Sequence, residues 1–172
     1  MQIINANVPL FLSTVENHHV IKDEILSAIS SSGKYSVDKK EFKLQHTDWH
    51  LNREESRPYW SIIANNVFKH LEEVAAKFNV VNGNVVNYWV QQYGKDDFHT
   101  WHTHGNCMFS SIYYVELPNK TETKFRVFKN EFCIPVKEGD ILTFPSCIEH
   151  CSPKNKSESQ KTVIAFNFNV GY

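Results

Sequence analysis

Two textures of hydrophobic spacing divide the chain. Through residue 80 apolar positions recur every three or four residues, and from residue 84 they come in short runs broken by turn residues. In TVENHHVIKDEILSAISSSG, Val20, Ile21, Ile25, Leu26 and Ile29 fall near helical spacing, with Thr14 as candidate N-cap and Gly33 as stop. RPYWSIIANNVFKHLEEVAAKFNV predicts a stronger helix. Pro58 suits its first position, and Trp60, Ile63, Ala64, Val67, Leu71, Val74 and Phe78 repeat along it.

NVVNYWVQQY (84–93), CMFSSIYYVELP (107–118), TKFRVF (123–128), FCIPV (132–136), DILTFP (140–145) and KTVIAFNFNV (161–170) read as strands. PNKTE, KEGD and SPKNKSES read as turns or loops. Long helices followed by short strands predict an α+β domain whose β part is a sandwich or an open barrel. A jelly roll fits the strand count, with the N-terminal helices packed on its outer face. A single domain over residues 1–172 is expected, with 1–80 as helical support and 84–170 as the jelly-roll core.

Composition narrows the function classes. At 41% apolar and 13% aromatic residues, 172 residues can bury a substantial core. A net charge of −1 gives no electrostatic case for a nucleic-acid partner. No apolar run nears the roughly 18 residues of a membrane span. The first residues lack the basic and small-residue pattern of a secretory signal, so a cytoplasmic protein is expected. The four cysteines (Cys107, Cys133, Cys147 and Cys151) are then expected as free thiols.

Candidate chemistry concentrates in FHTWHTHGNC, where His99, His102 and His104 fall within six residues. On an extended run, residues two apart point the same way, so His102 and His104 can face one point. A third ligand is expected from His150, which follows the strand GDILTFP and would be brought back beside the pair in a jelly roll. Three imidazoles suit iron, zinc, copper or nickel and leave positions open for substrates. His99 is expected on the loop leading into the site, and Trp89, Trp101, Tyr113 and Tyr114 as core or pocket wall.

Two other segments compete on paper. HTDWH (46–50) matches a metal-binding H-x-D, but it precedes a long helix and has no strand after it. His46 and Asp48 read as polar loop residues and Trp49 as an anchor on the core. CIEHC (147–151) offers two thiols but no second knuckle for structural zinc.

The segments QQYGKDDFHTWHTH, SSIYYVELP, GDILTFPSCIEH and KTVIAFNF, in that order, resemble the iron(II)/2-oxoglutarate-dependent oxygenases. Within them the likeness is to small oxygenase-like proteins of bacteria and phages with an HxH…FPSxxxH pattern. It covers about residues 84–170. The resemblance implies a double-stranded β-helix (jelly roll) that holds Fe(II) through His102, His104 and His150. It implies that Lys161 and Tyr93 hold the far carboxylate of 2-oxoglutarate, and that O2 is the co-substrate. The implied reaction couples decarboxylation of 2-oxoglutarate to hydroxylation of an unidentified small molecule or peptide in the cytoplasm, the host's if the protein is phage-encoded. Two positions depart from the pattern. His104 stands where an acidic ligand is usual in the wider family, and Lys161 with Val163 stands where the subgroup has Arg and Ser.

Two alternatives stay open at this level. A cupin shares the barrel and the H-x-H with a later histidine, although GNCMF lacks the glutamate that cupins add there. A non-catalytic β-sandwich binding module is the other.

Overall fold

The computed structural model describes residues 7–32, 35–52, 55–118 and 121–171. In chain order the elements are β1 (Phe11–Thr14), α1 (His18–Ser31), β2 (Val37–Asp38), β3 (Phe42–Leu44), β4 (His46–Thr47), α2 (Pro58–Ala76), β5 (Asn82–Tyr93) and β6 (Phe98–His102). They continue as β7 (Phe109–Glu116), β8 (Lys124–Val127), β9 (Asn130–Cys133), β10 (Asp140–Pro145), β11 (Glu149–Ser152) and β12 (Lys161–Gly171). All pairings are antiparallel. One sheet runs β1-β10-β7-β12-β5-β4 and the other β2-β3-β6-β11-β8-β9. This is the double-stranded β-helix expected from the sequence.

Alternation along the central strand β12 explains its apolar texture. Ile164, Phe166 and Phe168 join Ile25 and Ile29 of α1, and Ile63, Val67 and Leu71 of α2, in one core cluster. Val163 joins Tyr93, Ile112, Tyr114, Leu142 and Phe144, together with Leu44 and Phe125 of the second sheet, in another. So the helices cover the outer face of the first sheet, and the inner cluster lies between the sheets. A strand buried on both faces reads as a continuous hydrophobic run. The period of two then turns Lys161 and Asn167 inward with Val163.

The first 80 residues hold more than helical support, because β1 to β4 extend both sheets. Strands of two to four residues carry too few positions for a period to show. Thr14 is not a helix cap. It lies in β1 and its hydroxyl donates to Asp140 Oδ1 at 2.7 Å, while Asn17 precedes α1. Gly33 lies outside the described residues. Pro58 does open α2.

HTDWH is also not a polar loop. His46 and Asp48 are buried at 3% and 2% exposure, whereas Trp49, read as the anchor, is 65% exposed. Asp48 is the anchor instead. Its carboxylate accepts from Arg57 Nε at 3.0 Å, the Tyr59 hydroxyl at 2.6 Å and the Val90 amide at 2.8 Å. This knot ties the start of α2 to β5. The four cysteines are free, as expected. Among the described residues no helix is long and apolar enough to cross a membrane.

Candidate metal and co-substrate site

β6 and β11 bring the histidines together. His150 pairs directly with His102 across the two strands, and the next pairing, Ser152 with His99, leaves an extra residue on β6. Such a bulge re-aims side chains. It turns His99 to the same side as His102, and their rings stack at 3.9 Å. His99 therefore belongs to a strand, not to a loop. β6 ends at His102, and His104 lies beyond it, held by its backbone amide on Ser146 O at 3.0 Å. The ring of His104 lies 5.2 Å from that of His102 and 5.0 Å from that of His150.

One ligand atom from each of His102, His104 and His150 lies within 4.8 Å of the others, which is the reach of a single metal ion. Hydrogen bonds orient the rings. His102 Nδ1 lies 2.8 Å from Thr100 O, and His150 Nδ1 lies 3.0 Å from Ile148 O. A carbonyl oxygen only accepts, so each ring carries its proton on Nδ1 and offers the Nε2 lone pair. His104 Nδ1 is 2.8 Å from both Asn167 Oδ1 and Ser110 Oγ. Burial, the largest cause in each case, pushes the pKa down to about 4 for His102 and about 2 for His150, and lowers that of His104. Neutral imidazoles are what a metal requires of its ligands.

Lys161 lines the same cavity as the three histidines. It is 1% exposed, and its ammonium donates to Thr121 O at 2.6 Å and Ser152 Oγ at 2.9 Å. Among the described residues no carboxylate lines that cavity. Desolvation drives the Lys161 pKa from 10.5 down to about 7. Tyr93 pairs with Lys161 across β5 and β12, and the ammonium lies 5.2 Å from its ring centroid. The Tyr93 hydroxyl donates to Gln91 Oε1 at 3.0 Å.

A second, adjoining groove shares His99, His102 and His104 with this cavity. Tyr35, Phe42, Trp49, His50 and Trp89 line it, and Lys39 is its one formally charged side chain among the described residues. Trp89 is a buried part of the pocket wall, while Tyr113 and Tyr114 belong to the core clusters. Trp101 is neither. It carries the Arg126 guanidinium 4.4 Å over its ring, and Arg126 pairs with Glu149. CIEHC gathers no metal set, with Cys147 exposed and Cys151 buried. Ser110 and Asn167 are the site residues that sequence reasoning missed. The available signal was a polar Asn in the otherwise apolar run VIAFNF, in phase with Lys161.

No protein-family model matches the sequence, and no curated protein does. Solved structures match along nearly the whole chain. A 2OG-Fe(II) oxygenase-family oxidoreductase from Burkholderia pseudomallei is similar at a TM-score of 0.73 and 10% identity, over 92% of this chain and 84% of that one. A viral collagen prolyl hydroxylase from Paramecium Bursaria Chlorella virus-1, solved as a 2OG complex, is similar at 0.65 and 14% identity, over 92% and 94%. A prolyl hydroxylase from Trichoplax adhaerens, solved with a hypoxia-inducible-factor peptide, is similar at 0.68 and 12%, over 92% and 79%. The chain has the double-stranded β-helix fold of the 2OG-Fe(II) oxygenases.

Proposed function

We propose that the protein is an Fe(II)- and 2-oxoglutarate-dependent oxygenase that hydroxylates its substrate. One observation carries this reading. A single cavity is lined both by three converging neutral imidazoles and by a buried ammonium with no carboxylate partner among the described residues. A buried charge without a counter-ion is costly, and a ligand carboxylate supplies what the fold leaves out.

The donor set fits iron, since His102, His104 and His150 present neutral nitrogen ligands and leave coordination positions free. Bound iron with 2-oxoglutarate and O2 supplies the oxidising chemistry, releasing succinate and CO2 as one oxygen atom enters a substrate C–H bond. The chain's own contribution is orientation and exclusion of water. Lys161 fixes the far carboxylate by charge. Tyr93 flanks it, and its hydroxyl reaches the ligand by exchanging its hydrogen bond to Gln91. The aromatic groove admits the substrate, a small molecule or a peptide side chain, against the face of the imidazoles.

The test is turnover of carboxyl-labelled 2-oxoglutarate with Fe(II) and ascorbate, measured as labelled CO2. Slow release without added substrate, absent in His150→Ala, is the expected result. A cupin or a binding module releases none.

A further inference from the structure

We infer that Asn167, assisted by Ser110, is a positioning residue that makes His104 a metal ligand by locking its tautomer. The inference rests on the metal reading above and extends it to residues beyond the ligands. His104 stands where the wider family has a carboxylate, and a carboxylate can ligate in any orientation of its proton-free oxygens. An imidazole cannot. Its Nε2 ligates only when Nδ1 holds the proton.

His102 and His150 solve this with backbone carbonyls, which accept and never donate. His104 lies in a loop and faces side chains instead. Asn167 is 5% exposed and Ser110 is 1% exposed. The two residues are opposite each other on β12 and β7. The amide of Asn167 turns its oxygen toward the pair, and Ser110 Oγ donates to that Oδ1 at 2.7 Å. The same oxygen lies 2.8 Å from His104 Nδ1. Ser110 Oγ also lies 2.8 Å from His104 Nδ1, but its single proton is directed at Oδ1, so both oxygens facing Nδ1 accept, the His104 proton sits on Nδ1 and Nε2 is left with its lone pair. A flipped amide would donate to Nδ1, move the proton to Nε2 and remove His104 from the ligand set. The β5–β12 ladder carries a bulge directly after Asn167, where Phe168 pairs with Val85 and skips Val86. Bulges of this kind set the direction of one side chain against its neighbours.

Two measurements test this on the full chain. Long-range 15N–1H spectra of the metal-free protein read the tautomer directly. A protonated Nδ1 and a bare Nε2 on His104 are expected, and a protonated Nε2 overturns the proposal. Calorimetric titration with Mn(II) then compares wild type, Asn167→Leu and Asn167→Asp, with folding checked by circular dichroism. Asn167→Leu should bind Mn(II) about 10- to 100-fold more weakly, the usual range for a residue that orients a ligand. Asn167→Asp has only acceptor oxygens and should stay within about threefold of wild type or bind more tightly. A purely packing role predicts the reverse, since Asn167→Leu keeps the volume. Equal affinity in wild type and Asn167→Leu overturns the proposal, as does an Asn167→Asp protein as weak as Asn167→Leu. Should Asn167→Leu not fold, the spectra of wild type still decide. A wild-type protein that binds no Mn(II) instead removes the metal reading and leaves the tautomer assignment standing.

Discussion

His150 and His102 face each other directly across β11 and β6, with ring centroids 4.2 Å apart. Each has its Nδ1 tied to a nearby backbone carbonyl, and His150 also packs edge-on against Phe144 at 4.6 Å. His102→Ala and His150→Ala are therefore expected to abolish Mn(II) binding while the far-UV circular dichroism stays unchanged. His104→Ala should weaken binding strongly without abolishing it. Full metal occupancy in His150→Ala would exclude this site.

His99 distinguishes three ligands from four. It stacks on His102 but lies outside the converging set. His99→Phe keeps the stack and removes the nitrogens, so Mn(II) affinity should fall by less than about threefold, under about 0.7 kcal/mol. A loss beyond tenfold would make His99 a ligand.

Lys161 separates the oxygenase from its alternatives. Lys161→Ala should raise the 2-oxoglutarate dissociation constant about 30-fold or more, on the order of 2 kcal/mol, with Mn(II) binding unchanged. Lys161→Arg should keep part of the affinity, since the charge survives and only its geometry differs. Isothermal titration in the presence of Mn(II) checks all three proteins. Unchanged co-substrate affinity in Lys161→Ala would take Lys161 out of the site.

The same residue gives a pH signature. Its pKa lies near 7 in the fold and at 10.5 when solvated. Between these values the unfolded chain holds a proton that the folded chain has released, so this contribution to stability rises with pH from about 7 to 10.5. Urea unfolding at pH 7 and pH 9 should show that rise in wild type and not in Lys161→Met. A bound carboxylate restores the ammonium. Binding of 2-oxoglutarate at pH 8 should then take up close to one proton, read from titrations in buffers of different ionisation enthalpy. Zero uptake would mean that Lys161 does not meet the ligand.

The Asp48 knot predicts loss of stability without loss of chemistry. Asp48→Ala strands the buried Arg57 guanidinium, whose Nε lies 3.0 Å from the carboxylate. Such losses run at about 3–5 kcal/mol, which for a chain of this size lowers Tm by about 10 °C. Metal affinity of the folded variant should stay within about threefold. Loss of metal at temperatures where the variant is folded would make HTDWH part of the site.

What the sequence revealed follows from which signals are local. Strands β5, β7, β10 and β12 are long enough to show their period, and the convergence of His102, His104 and His150 was readable because a jelly roll returns His150 beside His102. Strands β2 and β4 have two residues each, too few for any pattern. Nothing local in HTDWH tells a buried ion pair from a polar loop. The partner Arg57 sits in a segment that also reads as solvated. Lys161 follows a Lys/Ser-rich loop and looks exposed until β12 is known to be the strand between β7 and β5. The Asn167–His104 contact spans 63 residues, and its one local trace is the polar Asn in the apolar run VIAFNF.

The burial of β12 on both faces divides the molecule by durability. The strand lies inside its sheet and contributes to both core clusters, so its amides are expected among the slowest to exchange with solvent. Lys161 and Asn167 ride on it and share that protection. The rim of the groove is built on β2, β3 and the residues around β4, where few backbone hydrogen bonds hold each piece and Tyr35 and Trp49 stand exposed. Their amides are expected to exchange faster than those of β12. Lys161 and the partner of His104 thus sit on the best-protected strand of the fold, while the groove beside the imidazoles is walled by its least-anchored segments.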